Sequence, residues 1–217
     1  MKALTTFLLL PLGLLVGCSR PTDNSMTAKF PPALTPEVQQ AAIQRGKAIA
    51  AETFSLLSSN LQSAIQSGGV SNALPFCSLA ASPLTAGMAA KHGVSLRRVT
   101  HKARNPAGKA NDIELAMLNS FETALATGNS TNPLPPLATN LVAGQATFFA
   151  PIVLNNELCL KCHGQPGKDI SAENLAVIQR LYPQDEATGF NLGQLRGAWR
   201  IDFPLATLPT TPAPETK

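Results

Sequence analysis

Residues 159–163 read CLKCH, two cysteines separated by two residues and followed directly by a histidine. On a helical turn, residues three and four positions apart share a face, so Cys159, Cys162 and His163 are presented together. This is the spacing of covalent c-type haem attachment, in which two thiols form thioethers and the imidazole ligates iron. The motif occurs once, so the sequence predicts one covalent haem c and a domain folded around this turn.

Two other sites use closely spaced cysteines. A structural zinc site needs a fourth ligand and usually a second such pair, which this sequence lacks. A thioredoxin-like dithiol does not need the adjacent histidine. Gly164 follows the motif and lets the chain leave close to a ring, which also favours haem.

The first residues, MKALTTFLLLPLGLLVGCSR, predict a lipoprotein signal peptide over residues 1–17. The apolar core is too short to span a bilayer, and the segment Leu15–Cys18 has the form of a bacterial lipobox. We therefore expect Cys18 to be acylated and to bind membrane lipid, although an ordinary secretory signal with an incidental cysteine is the alternative. Ser19, rather than aspartate, favours the outer membrane of a two-membrane bacterium and a protein facing the periplasm.

Domain organisation follows from composition. Residues 18–35 predict a flexible tether, residues 36–205 one globular domain, and residues 206–217 a proline-rich, disordered tail. The formal net charge is only +4 and is spread along the chain, which argues against nucleic acid as a partner.

The domain is predicted to be α+β, with helices first and a small antiparallel sheet with inserted helices after them. A long first helix over 36–67 ends at Gly68–Gly69, and two shorter helices occupy 71–92, where Pro75 breaks the pattern and Ser82 caps the second. Asn111 and Glu114 form a capping box for the next helix, to about Thr127. Further helices carry CLKCH and follow Ser171, and strands are expected at 94–100, 146–154 and 197–205.

An imidazole ligand on one side of iron leaves the opposite axial position open. The candidates are Cys77, Met88, His92, His101 and Met117. Cys77 lies on an apolar helix face, where a buried inert thiol is common, but an unpaired cysteine in an exported protein needs an explanation. From the residues alone the choice stays open.

The stretch RRVTHKARNPAGKANDIE, with CLKCHG and YPQDEATGFNLGQLRGAWRIDFPL, resembles a family of haem-c-binding PAS-like domains. The resemblance covers about residues 36–205. The family was long listed as a domain of unknown function and occurs in exported bacterial proteins and in sensor parts of histidine kinases. It implies a PAS-like sheet and a cysteine opposite histidine on iron, and the matching cysteine is Cys77.

Arg98 and Arg104 are predicted to bind haem propionates or to support the structure nearby, because arginine pairs with carboxylates in a bidentate way. A solvated basic edge strand is the alternative. Together these features predict a redox or small-gas sensor, which needs a signalling partner. The alternative is a tethered single-haem electron carrier, which needs a redox partner. We do not expect an enzyme, because the sequence shows no distal acid–base pair.

Overall fold

The computed structural model describes residues 33–127 and 135–209, so the predicted signal peptide and Cys18 lie outside the described residues. The helices are α1 (Pro36–Leu79), α2 (Ala81–His92), α3 (Asp112–Ala126), α4 (Glu157–His163) and α5 (Ala172–Leu181). The strands are β1 (Ser95–Val99), β2 (Leu137–Thr139), β3 (Gln145–Val153) and β4 (Leu195–Pro204). Short 3-10 turns occupy Pro106–Gly108 and Leu205–Thr207.

Helix α1 consists of two helical segments. The Thr35 side chain caps its start, and Gly68 and Gly69 interrupt it with non-helical backbone angles. Gly69 has φ 74° and ψ −174°, a conformation that essentially only glycine adopts. The predicted end of the first helix at Gly68–Gly69 is therefore confirmed, and residues 70–79 form a separate helical segment.

Two details of this region were predicted wrongly. Pro75 lies inside the second segment of α1 and does not end it. Helix α2 begins at Ala81 after an Ala80 cap that makes no side-chain hydrogen bond, so Ser82 lies within the first turn and is not the cap. Gly93, in the left-handed conformation, ends α2 as predicted.

The sheet is antiparallel, with strand order β1-β4-β3-β2. Helices α1 and α2 cover one face, where Phe148, Trp199 and Ile201 join the largest hydrophobic cluster. Helix α3 covers the other face, against Phe149 and Ala198. Successive strand residues point to opposite faces, so β3 and β4 each contribute side chains to both hydrophobic clusters. The predicted α+β architecture is confirmed.

A β-bulge interrupts the pairing of β3 with β4. Ile152 pairs with Gly197 and Val153 pairs with Leu195, so Arg196 is the extra residue. A Cβ at Gly197 would lie 3.0 Å from Thr100 Cβ and overlap the Val99 carbonyl, which requires glycine here. Bulges re-aim side chains and occur often beside functional sites.

The capping box of α3 is present as predicted and has a second role. Glu114 is fully buried, and its Oε2 accepts a hydrogen bond of 2.9 Å from the Asn111 backbone N–H. Its Oε1 pairs with Arg97 and, at 2.7 Å, with Arg200. The carboxylate therefore ties the helix start to β1 and β4.

Three further differences concern short or terminal segments. Strand β2 was not predicted, because three residues carry no readable alternation. The tail predicted to be disordered from residue 206 is ordered at its start, since Leu208 is buried in the main cluster. Leu34, in the predicted tether, packs on that cluster as well.

No single helix in the described ranges is long and apolar enough to cross a membrane. Only α1 and α2 taken together, with a 48° bend between them, meet that length and composition.

Two helical glycines should respond oppositely to alanine. A Cβ at Gly46 would lie 2.6 Å from two atoms of the Phe148 ring, whereas a Cβ at Gly87 meets nothing within 4 Å. We expect Gly46→Ala to lower the free energy of unfolding by about 1–3 kcal/mol through overpacking. We expect Gly87→Ala to raise it by about 0.5–1 kcal/mol, because alanine is the better helix former. Urea unfolding measures both, and equal effects of the same sign would contradict the packing of α1 on β3.

Candidate functional site

Helix α4 carries the C-x-x-C-H motif. The Asn156 side chain caps its start by accepting a hydrogen bond of 2.8 Å from the Leu158 N–H. Gly164 ends it, and a Cβ there would lie 2.7 Å from the Leu160 carbonyl oxygen and from an Asp169 carboxylate oxygen. Cys159 and Cys162 are free thiols with partial solvent exposure. The motif therefore lies on a short helix, with two unpaired sulfurs.

The His163 ring is held in one tautomer. Its Nδ1 lies 2.8 Å from the carbonyl oxygen of Ala187, which can only accept, so Nδ1 carries the proton. Burial, followed by the charges of Arg196 and Arg104, lowers the pKa of His163 well below its usual value. The imidazole is therefore neutral at pH 7, with a lone pair on Nε2 for a metal. His163 also retains some solvent-accessible surface.

The loop 185–190 surrounds the histidine. Its backbone donates from Gly189 to the Gly164 carbonyl at 2.8 Å and from Phe190 to the His163 carbonyl at 2.9 Å. Lys102 Nζ donates to the Thr188 carbonyl at 2.6 Å. The Phe190 ring meets the His163 ring edge-on, with centroids 6.4 Å apart. The loop thus fixes both the backbone and the ring of the histidine.

Arg104 joins this loop to the motif. Its guanidinium donates to both carboxylate oxygens of Asp185, at 3.0 and 3.1 Å. It also donates to the carbonyl oxygens of Cys162, at 2.7 Å, and of Ala187, at 3.4 Å. The Arg104 and Asp185 side chains are only 11% and 7% exposed, so this is a buried ion pair.

Cys77 lies in the second segment of α1, beside the motif. One turn earlier, Leu74 packs with Ile170 and Ile178, and Cys162 packs on that same cluster. Ser71 donates to Asn174 at 2.7 Å, which docks the segment on α5. The pKa of the Cys77 thiol is raised by burial, against the opposing charges of Arg98 and Arg104.

Arg98 has an unusual environment. The residue is exposed to solvent, yet loss of hydration from the surrounding protein lowers its pKa, against the charge of Cys77. A side chain with both properties lines a recess. Its guanidinium carbon lies 5.8 Å from the centroid of the Trp199 ring, and it has no hydrogen-bond acceptor within residues 33–127 and 135–209. We call the region around Cys77, Arg98, Cys162, His163 and Arg196, which interact electrostatically with one another, the motif recess.

The other four axial candidates make contacts elsewhere. Met88 is buried in the main cluster, and Met117 lies on α3 and packs on the cluster beneath that helix. His92 Nε2 lies 2.8 Å from Glu52 Oε2, and His101 Nε2 lies 3.0 Å from an Asn119 oxygen. Within the described part of the chain, no three His, Cys, Asp or Glu side chains converge as a metal-ion ligand set.

The sequence did not single out Arg196, Asp185 or Phe190 as site residues. All three lie in the 182–205 stretch that carried the family resemblance. Their roles depend on a bulge, a buried ion pair and a ring contact, which the residue types alone do not indicate.

The fold and the site define a class: an α+β domain that holds a tautomer-fixed histidine beside two free thiols on one short helix. The model of the Tll0287-like family matches residues 33–204, and the chain belongs to that family. The resemblance to a known domain family is therefore confirmed.

Among solved structures, the chain is similar to the crystal structure of the cyanobacterial heme-protein Tll0287. The identity is 24% and the TM-score 0.51, and the match covers 79% of this chain and 97% of that one. This likeness supports the fold. No curated protein matches the chain.

Removal of the Arg104 side chain should destabilise the site. Arg104→Gln leaves the buried Asp185 carboxylate without its counter-charge, and we expect a loss of roughly 3–5 kcal/mol in the free energy of unfolding. Lys109→Gln is the matched control, because its pair with Glu186 is in the same region but 61% and 47% exposed. The control should change stability by less than about 1 kcal/mol in urea unfolding. Equal effects would mean that the buried pair does not anchor the loop.

Proposed function

We propose that the chain binds one haem c, covalently through Cys159 and Cys162, with His163 as an iron ligand. The fixed tautomer of His163 carries this proposal, since its neutral Nε2 has the lone pair that iron needs. Both thiols are free and share a short helix with the histidine. Membership of the Tll0287-like family and the likeness to a heme-protein of that name support the same reading.

The residues around the motif supply orientation. Ala187 fixes the ring plane of His163 through its carbonyl, and Arg104 holds both Ala187 and the Cys162 backbone. When bound, a haem supplies a one-electron redox couple and a site for small gases. The protein's contribution is the ligand set and its electrostatic surroundings.

Cys77 is proposed as the second axial ligand. The segment that carries it docks on α5, and Cys162 packs on the same cluster. The Cys77 and Cys162 thiols lie close enough to interact electrostatically, which supports this assignment. Burial favours the protonated thiol, while Arg98 and Arg104 favour the thiolate. The two arginines would therefore stabilise the anionic form that an iron(III) ligand requires.

The most favoured physiological role is a redox or small-gas sensor. The Gly68–Gly69 break favours it, because Cys77 lies on a segment that joins the rest of α1 through non-helical backbone. The alternative is a tethered electron carrier. An optical redox titration with and without carbon monoxide separates the two: gas binding on reduction supports the sensor, and a closed haem that cycles reversibly supports the carrier.

We further propose that the protein is lipid-anchored at Cys18 and faces the periplasm, where a signalling or redox partner would meet it. Mass spectrometry of membrane-derived protein should find residues 1–17 absent and Cys18 acylated. A soluble mature form with a free Cys18 thiol would exclude the anchor.

The covalent link is tested by extraction. After acidic acetone treatment, haem should stay with the wild-type protein, because thioether bonds survive acid. It should be lost from Cys159→Ser/Cys162→Ser. Cys77→Ala is the matched cysteine control and should keep its haem attached. Haem that extracts freely from the wild type would end this assignment.

The axial role of Cys77 is tested by spectroscopy. Both Cys77→Ala and Cys77→Met should change the oxidised low-spin spectrum, and Cys77→Met should raise the reduction potential, because a thiolate stabilises iron(III) more than a thioether does. Met88→Leu is the control, since Met88 is buried in the main cluster. If neither the electron paramagnetic resonance g-values nor the potential moves in Cys77→Ala, the thiolate is not the ligand.

A further inference from the structure

Arg196, the bulged residue of β4, belongs to the motif recess. Arg196 Nη1 donates to Thr100 Oγ1 at 2.9 Å and to the Lys102 carbonyl at 3.0 Å. Its guanidinium carbon lies 5.4 Å from the centroid of the Phe190 ring, the ring that also meets His163. Two neutral acceptors and an aromatic face hold the guanidinium in place, but none of them neutralises its charge.

Arg196 also has an unsatisfied donor. Its Nε is buried and has no hydrogen-bond partner. Burial, followed by the charges of Arg98 and Arg104, lowers its pKa to about 9. Burying a polar donor without an acceptor, and a charge without a counter-charge, is unfavourable, so such groups usually have a partner.

The charge balance around His163 is uneven. Arg98, Arg104 and Arg196 act on one another and on the histidine. Asp185 is the carboxylate in this group, and Arg104 occupies both of its oxygens. Within the described residues, Arg98 and Arg196 have no ion pair. Two guanidinium groups beside the haem motif thus lack a carboxylate.

We propose that Arg98 and Arg196 together bind the propionate carboxylates of the haem. This inference depends on the proposed function. A haem carries two propionates, and the recess offers two guanidinium groups without counter-charges, one solvent-accessible and one re-aimed by the bulge. Arginine pairs with carboxylates through parallel N–H donors, which a point charge does not reproduce. The charge of Arg104 is paired with Asp185 through its Nε and Nη2 donors, so this arginine acts instead by positioning the 185–190 loop.

The test uses the full-length, haem-loaded protein and resonance Raman spectroscopy. The propionate bending bands report hydrogen bonds to the carboxylates, and a change confined to protein packing does not move them. We expect Arg98→Gln and Arg196→Gln each to shift a propionate band, with Arg196→Lys restoring only part of the shift. Arg180→Gln is the matched control, an exposed arginine on α5, and should leave the bands unchanged.

Arg98→Gln keeps the test decisive if Arg196→Gln fails to fold, because the Arg98 side chain is solvent-accessible and has no hydrogen-bonded protein partner to lose. Propionate bands that stay in place in Arg98→Gln, or in a folded Arg196→Gln, would overturn the proposal. If haem is released by acidic acetone from the wild type, the proposed function has failed. If haem remains attached and the bands do not respond, this inference alone has failed.

A free carboxylate ligand has the same chemistry and is separated by a second measurement. Because the propionates are predicted to occupy the arginines, added sodium acetate should not raise the Tm of the haem-loaded wild type beyond the effect of equal sodium chloride. A saturable rise that Arg196→Gln abolishes would assign the site to a free anion and overturn the propionate assignment.

Discussion

The hydrogen bond from His163 Nδ1 to the Ala187 carbonyl constrains the whole site, because it decides which ring nitrogen keeps a lone pair. That bond depends on the loop 185–190, which has no regular secondary structure of its own. Arg104 holds this loop by binding the Asp185 side chain and the Ala187 carbonyl. A buried ion pair costs desolvation, so its value here is the geometry that it imposes.

The two segments that carry the proposed ligands come from distant parts of the chain and are held together by hydrophobic packing. Leu74 and Ile178 bring the Cys77 segment onto α5, and Cys162 packs on the same cluster. The Gly68–Gly69 break makes this possible, since a straight continuation of α1 would carry Cys77 away in a different direction. The sheet meanwhile fixes Arg98 and Arg196 on adjacent strands.

Much of this architecture was predictable from local signals. Caps at Thr35 and Asn111, the glycine pair and the C-x-x-C-H spacing each depend on a few neighbouring residues, and the structure follows them. The predicted cap at Ser82 was wrong, because a serine caps a helix only where the helix begins directly after it. The electrostatic interactions of the site were harder to predict from the sequence. Arg104 and Asp185 are 81 positions apart, and only the folded chain shows that they pair.

The bulge in β4 has a consequence at the level of the gene. Leu195 and Gly197 already pair with the consecutive residues Val153 and Ile152. Deletion of the Arg196 codon would join those two partners and leave an uninterrupted ladder, while the guanidinium beside His163 would vanish. Arg196 is therefore a one-residue insertion in β4. Evolution can add or remove its charge without changing the pairing of the sheet that supports it.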